Sequence, residues 1–89
     1  MKFSVLMAVY HADAPNFVRA ALQSIKSQTL QASEVIVVQD GSISNELIAV
    51  IDEFKKLIPL VHLVINENNG LGWALKKGIE ASSYDWVLR

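Results

Sequence analysis

Residues 3–10 (FSVLMAVY) and 35–38 (VIVV) are apolar almost without interruption, rather than at every second position. A strand with one wet face alternates polar and apolar side chains. A run that is apolar throughout and rich in β-branched residues belongs to a strand buried on both faces. A chain carrying two such strands must supply elements to cover both sides of the sheet. That requirement excludes a half-exposed antiparallel sheet and directs attention to the segments between the strands.

Those segments change period. In 14–28, Val18, Ala21, Leu22 and Ile25 fall at helical spacing. Asp13 is placed to cap this helix, Pro15 sits in its first turn and Lys26 favours the dipole in its last. After the second strand, 34–39, another helix starts near Ser42 or Ser44, with Leu47, Val50, Ile51 and Phe54 on one stripe. Lys55 and Lys56 close it and Pro59 stops it. A third strand, 60–65, is broken by NENNG. Leu71, Ala74, Leu75, Gly78 and Ile79 form a third stripe, and 84–89 (YDWVLR) opens a fourth strand.

The order β-α-β-α-β-α-β implies right-handed crossovers and a parallel sheet: a Rossmann-like, three-layer α/β/α fold. At 89 residues, with no repeat, low-complexity tract or linker, the chain is one small domain at most. Its 52% apolar content is high for this length, and part of that surface is expected to face something outside the chain. Eight basic and nine acidic residues, with no basic block, give no nucleic-acid footprint. Without cysteine there are no disulfides or thiolate metal sites, which fits a reducing compartment. No apolar run approaches the ~18 residues of a membrane helix. MKFSVLMAVYHADA loosely mimics a secretory leader, but the first strand accounts for it better.

In open parallel sheets, ligands bind beyond the carboxyl ends of the strands. Three segments lie there: AVYHA, QDGS and NENNGLG. In the first, Tyr10 is a wall for a planar ligand or an ordinary strand-end aromatic, and His11 has no visible partner. In the second, Asp40 is a hydrogen-bond acceptor for a ligand, a metal ligand or a helix cap, three roles that local chemistry leaves open. Gly41 supplies the turn. In the third, Asn69-Gly70-Leu71-Gly72 opens a helix, either to receive phosphate oxygens or as an Asn cap with glycines for close packing. It is not a G-x-G-x-x-G, since Leu75 holds the third position. Lys76 and Lys77 read as a solvated face, as do Asp52, Glu53 and Glu80. Trp73 lies off its stripe and Trp86 belongs in the core. No His, Cys, Asp and Glu cluster has metal-ligand spacing.

Taken together, S-V-L-M-A-V-Y, S-I-x-x-Q-T, V-V-x-D-G-S and N-x-G-L-G-x-A-L resemble the N-terminal, nucleotide-binding half of family 2 glycosyltransferases of the GT-A fold. The flavour is that of bacterial exopolysaccharide and O-antigen sugar transferases, and the resemblance covers essentially the whole chain. It implies that Ala8, Val9 and Tyr10 border the nucleoside base, usually uracil, and that Asp40 accepts the N–H of that base. Asn69, Gly70 and Gly72 line the nucleotide pocket, with Lys76 where the family often has Asn or a basic residue. An A-R-N found on this helix in the family reads Ala74-Leu75-Lys76 here.

The resemblance further implies a D-x-D motif just after the fourth strand, whose carboxylates hold Mg²⁺ or Mn²⁺. That motif, the general base and the acceptor site are absent from residues 1–89, so the full-length enzyme is expected to use a divalent cation that this piece alone does not bind. The implied reaction moves a sugar from a nucleotide-sugar, a UDP-sugar above all, to a hydroxyl of a saccharide or lipid-linked acceptor. It would take place in the cytoplasm at the inner face of the membrane, with peripheral attachment of the full-length protein. The piece itself is expected to be inactive and to self-associate through an exposed sheet edge. The competing reading is a non-catalytic, doubly wound binding or signalling module.

Overall fold

A computed structural model describes residues 2–65 and 71–88. They form β1 (Ser4–Val9), α1 (Pro15–Lys26), β2 (Glu34–Asp40), α2 (Asn45–Lys55), β3 (Leu60–Ile65), α3 (Leu71–Ala81) and β4 (Trp86–Leu88). This is the alternation that the sequence predicts. The four strands pair in parallel in the order β3-β2-β1-β4. The chain winds outward from β1 to β3 and then returns to the far side of β1. The order therefore reverses between β1 and β4, the place where such sheets open a crevice at their carboxyl ends.

Successive side chains of a strand point to opposite faces, and the two faces are covered by different helices. Val5, Met7, Val9, Val35 and Val37 pack with Val18, Leu22 and Ile25 of α1 and Leu47, Val50, Ile51 and Phe54 of α2. Leu6, Ile36 and Val38 pack with Ala74 of α3, with Ala8, Leu63, Ile65 and Ile79 at its margin. Uninterrupted apolar runs in β1 and β2 thus have the predicted cause: each strand is buried twice. β3 lies at one edge of the sheet and is apolar without being fully covered, with Val61 45% and Val64 50% exposed. Phe17, on the outer side of α1, is 75% exposed, so part of the apolar composition does lie on the surface.

α3 meets the sheet through a glycine. A Cβ at Gly78 would stand 3.0 Å from Cγ2 of Val38 and 3.4 Å from Cδ2 of Leu6. The helix therefore rests backbone-first on the two central strands. Its exposed Trp73 finds a partner on its own helix, since Nζ of Lys77 lies 4.7 Å and Nζ of Lys76 5.8 Å from the ring centroid. These are cation–π contacts at helical spacing. The side chain of Trp86 lies outside the described residues.

Two caps separate the expectations. Ser44, not Ser42, caps α2: its hydroxyl accepts the Leu47 N–H at 3.2 Å. Asp13 does not cap α1. The N-cap is Ala14, with no side-chain bond, followed by Pro15. Because proline needs no hydrogen-bond acceptor, the orphan-donor problem at this terminus is smaller, and the Asp13 carboxylate is used one turn earlier in the preceding loop. α1 also ends at Lys26, two residues short of the expected limit, with Ser27 as its C-cap.

The amino end of the sheet is closed by Glu34. Its Oε1 accepts the hydroxyl of fully buried Ser4 at 2.7 Å and the backbone N–H of Ser83 at 2.6 Å. One carboxylate thereby joins β1, β2 and the segment leading into β4, at the end of the sheet opposite the candidate site.

Candidate functional site

The β1–β2 register runs from Ser4↔Glu34 to Ala8↔Val38 and Val9↔Gln39. Tyr10 and Asp40 are the next residues on the two neighbouring strands, so the chain leaves the central pair with these two side by side. By strand parity Ala8 and Asp40 lie on the α3 face, with Leu6, Ile36 and Val38. Helices of a parallel β-α-β unit run back against the strands, which puts the N-terminus of α3 at this same edge. Ala8, Tyr10, Asp40 and Gly72 are thus gathered by topology. Val9 presents only its main chain at this edge, because its side chain is fully buried under α1 and α2.

The β1–α1 loop is tied to Tyr10. Tyr10 N–H donates to Oδ2 of Asp13 at 3.0 Å, and Asp13 N–H donates back to the Tyr10 carbonyl at 3.1 Å. This closed turn is where the carboxylate expected at the helix cap has gone. Tyr10 is 45% exposed, and its ring meets that of His11 edge to face, centroids 5.5 Å apart. The arrangement leaves an aromatic surface at the strand end whose backbone is already fixed.

Asp40 is the last residue of β2, pairs with Ile65 of β3 and is only 5% exposed. It does not cap α2, since Ser44 does. Among the described residues no three His, Cys, Asp or Glu side chains converge to hold a metal ion. A hydrogen bond accepted by Asp40 is formed away from bulk water and is not weakened by competition with it.

The turn after Asp40 has its own supports. Gly41 has φ 80°, a left-handed conformation that glycine adopts without strain, and its N–H donates to the Ile65 carbonyl at 2.9 Å. Buried Gln39 donates from Nε2 to the Gly41 carbonyl at 2.9 Å, while its Oε1 lies 2.8 Å from Nε2 of His62. With the amide N–H₂ directed at a carbonyl, the amide oxygen is left for the imidazole, which must donate. The His62 pKa is lowered, first by burial and then by nearby Lys55, with Asp52 opposing. Gln39 and His62 were not singled out as site residues from sequence. The signal was there: polar residues inside apolar strands, two positions apart in register (Val37↔His62, Gln39↔Val64) and hence on one face.

Near the start of α3, a Cβ built at Gly72 meets no described atom within 4 Å. Close packing, one of the two reasons open for this glycine, is therefore met by Gly78 instead, and Gly72 borders open space. Lys76 is exposed on the outer side of α3, beside Trp73. Asn69 and Gly70 lie outside the described residues.

The sequence profile described as glycosyl transferase family 2 matches residues 4–89. The chain belongs to that family. Among its relatives, an uncharacterized glycosyltransferase of Haemophilus influenzae is 43% identical over 89 residues, covering 100% of this chain and 33% of that protein. The UDP-Gal:alpha-D-GlcNAc-diphosphoundecaprenol beta-1,3-galactosyltransferase of Escherichia coli is 42% identical over 88 residues, 99% of this chain and 32% of that enzyme. The amylovoran biosynthesis glycosyltransferase AmsE of Erwinia amylovora is 39% identical over 98% of this chain and 33% of its own length. The chain thus spans about a third of these relatives. The crystal structure of S. aureus TarS superimposes with a TM-score of 0.78 at 19% identity, over 99% of this chain and 16% of TarS. That likeness shows a shared fold. Among the described residues, no helix is long and apolar enough to cross a membrane.

Proposed function

We propose that residues 1–89 are the N-terminal, nucleotide-binding part of a single GT-A glycosyltransferase domain, with the acceptor part lying outside them. The whole protein would transfer a sugar from a UDP-sugar to an acceptor hydroxyl in cell-surface polysaccharide synthesis. The acceptor oxygen bonds to the anomeric carbon as the bond to the diphosphate breaks. The nucleoside diphosphate leaves, and the hydroxyl proton passes to a base. A Mg²⁺ or Mn²⁺ ion in the full-length enzyme would neutralise the diphosphate, held by carboxylates other than those described here.

The observation that carries this reading is the pairing of a buried acceptor, Asp40, with an exposed aromatic, Tyr10, at the carboxyl end of the two central strands. Uracil presents one ring N–H and a flat face, and these two residues match both. Ala8 and Val9 would border the base through the main chain. Asn69, Gly70 and Gly72 would line the phosphate side, where the open space at Gly72 and the positive end of the α3 dipole favour an anion, and Lys76 would add a cation. The UDP-Gal and diphosphoundecaprenol in the name of the Escherichia coli relative support a UDP-sugar donor and a lipid-linked acceptor; a cytoplasmic position at the inner membrane face is part of the same proposal. The fourth strand, β4, lies at an edge of the sheet among the described residues, which supports self-association through that edge; sedimentation as a clean monomer at high concentration would overturn that part.

The test of the base site is titration of UDP against the 89-residue chain and its Asp40→Ala variant, followed through the Tyr10 resonances. Loss of one hydrogen bond to a charged acceptor weakens binding by about one to two orders of magnitude. Equal affinities would remove Asp40 from base recognition.

A further inference from the structure

Three groups link β3 to the turn that follows Asp40. His62 Nε2 contacts Gln39 Oε1 at 2.8 Å, Gln39 Nε2–H donates to the Gly41 carbonyl at 2.9 Å, and Gly41 N–H donates to the Ile65 carbonyl at 2.9 Å. The links form a closed circuit. It leaves β3 at His62, crosses to β2 at Gln39, passes Asp40, reaches Gly41 and returns to β3 at Ile65. Asp40 is the residue enclosed by it. Gly41 holds a left-handed φ of 80°, which turns the chain sharply after Asp40. The Gly41 N–H bond to Ile65 fixes the peptide that joins Asp40 to Gly41, and the Gln39 amide holds the following peptide through the Gly41 carbonyl, so the two bonds together hold the turn from which the Asp40 carboxylate projects.

From this geometry we infer that Gln39 and His62 are positioning residues for Asp40, setting the base selectivity of the candidate nucleotide site without touching the nucleotide. The inference rests on the reading of Asp40 as the acceptor for a base N–H. By parity, Gln39 and His62 sit on the α1/α2 face and Asp40 on the α3 face, so the pair acts through the backbone and not by contact with a ligand. Gln39 is 8% exposed, which keeps its two hydrogen bonds out of competition with water. Direct recognition by Asp40 discriminates sharply. Uracil offers N–H at ring position 3, whereas cytosine offers a lone pair that a carboxylate repels. Selectivity for UDP over CDP therefore reports the aim of the carboxylate, which general stability does not.

The test uses the 89-residue chain with Gln39→Glu, His62→Leu and His62→Gln, and Asp40→Ala as reference. Gln39→Glu keeps an acceptor for His62 but has no N–H for Gly41. His62→Leu removes the donor to Gln39, and His62→Gln restores one. UDP and CDP affinities are measured at a denaturant-free temperature well below unfolding, alongside amide exchange at Gly41. Gln39→Glu should speed Gly41 exchange at least tenfold relative to the amides of β1 and lower the UDP/CDP preference at least fivefold. His62→Leu should act in the same direction more weakly, and His62→Gln should recover most of the preference. Unchanged Gly41 exchange in Gln39→Glu overturns the inference with or without a ligand. Faster exchange with an unchanged UDP/CDP ratio, while Asp40→Ala abolishes that ratio, overturns positioning and leaves the base site standing. If Asp40→Ala leaves the ratio as it was, the base-recognition reading fails, and the positioning role fails with it.

Discussion

Gly72 and Gly78 lie on the same helix, and the same added methyl group should move stability in opposite directions at the two. Replacing glycine by alanine in a helix is intrinsically favourable by about 1 kcal/mol. At Gly72 nothing opposes that gain, because a Cβ there meets no described atom within 4 Å. At Gly78 the Cβ arrives 3.0 Å from Cγ2 of Val38 and 3.4 Å from Cδ2 of Leu6. Neither neighbour is the loose end of a long side chain. Val38 is β-branched, sits in a central strand and is fully buried, as is Leu6. Relief must come from α3 moving off the sheet, and overpacking of this kind costs about 1–3 kcal/mol.

Gly72→Ala should therefore be stabilising by about 1 kcal/mol, and Gly78→Ala neutral to destabilising by about 2 kcal/mol, the balance of helix gain and overpacking. Urea unfolding read by circular dichroism measures both. With m near 1 kcal/mol/M for so small a chain, the midpoints should differ by about 1 M or more at constant m. Equal midpoints would refute the claim that α3 seats backbone-first on β1 and β2. UDP titration supplies a second contrast. Gly72→Ala should weaken binding while leaving the fold intact, because its methyl group occupies the space assigned to the nucleotide.

Three further outcomes follow from single contacts. Glu34→Ala deletes the acceptor of both Ser4 Oγ–H and Ser83 N–H, leaves a buried hydroxyl unpaired and should destabilise by about 1–3 kcal/mol in urea melts. Ser44→Ala removes the cap on the Leu47 N–H and should lower stability by about 1 kcal/mol, with a shorter or frayed α2 by amide exchange. His62 has a folded-state pKa below its ordinary 6.5, with burial the largest cause, so the unfolded chain takes up the proton first as pH falls. Stability should be flat above about pH 7.5, decline as pH drops through about 6.5 and level off below the folded pKa. His62→Gln should remove this part of the slope in urea midpoints measured from pH 7.5 to 5.

Element order, helix stripes and the parallel sheet were legible because each rests on a period that survives averaging over several residues. Val35 to Val38 could not alternate faces in water, and Leu47, Val50, Ile51 and Phe54 could not share a stripe in a strand. What escaped was decided by single polar groups with two uses of similar energy. Asp13 could cap α1 or close the turn at Tyr10. The turn wins because Pro15 has no N–H to be capped and the Tyr10 N–H lies within reach. Ser42 and Ser44 are equally good caps by type, and only the path of the chain after Gly41 chooses between them. Gln39 and His62 are 23 residues apart. Their meeting depends on strand register, which no local pattern specifies.

That distinction bears on where function can reside in so small a fold. At the amino end of the sheet, one Glu34 carboxylate ties its own strand β2 to β1 and to the segment before β4. At the carboxyl end, Asp13, Gln39 and His62 hold the loops around Tyr10 and Asp40 in the same way, yet Tyr10 remains open to solvent. If fold stability were the whole purpose of the polar network there, an exposed aromatic at a strand end fixed by an Asp13 turn would add nothing. A site that recognises a flat base needs that combination: backbone already ordered, one face uncovered, and an acceptor held in a defined direction. On the proposed reading, the loops at this edge are a frame ordered before the nucleotide arrives, so that little binding energy is lost in arranging them.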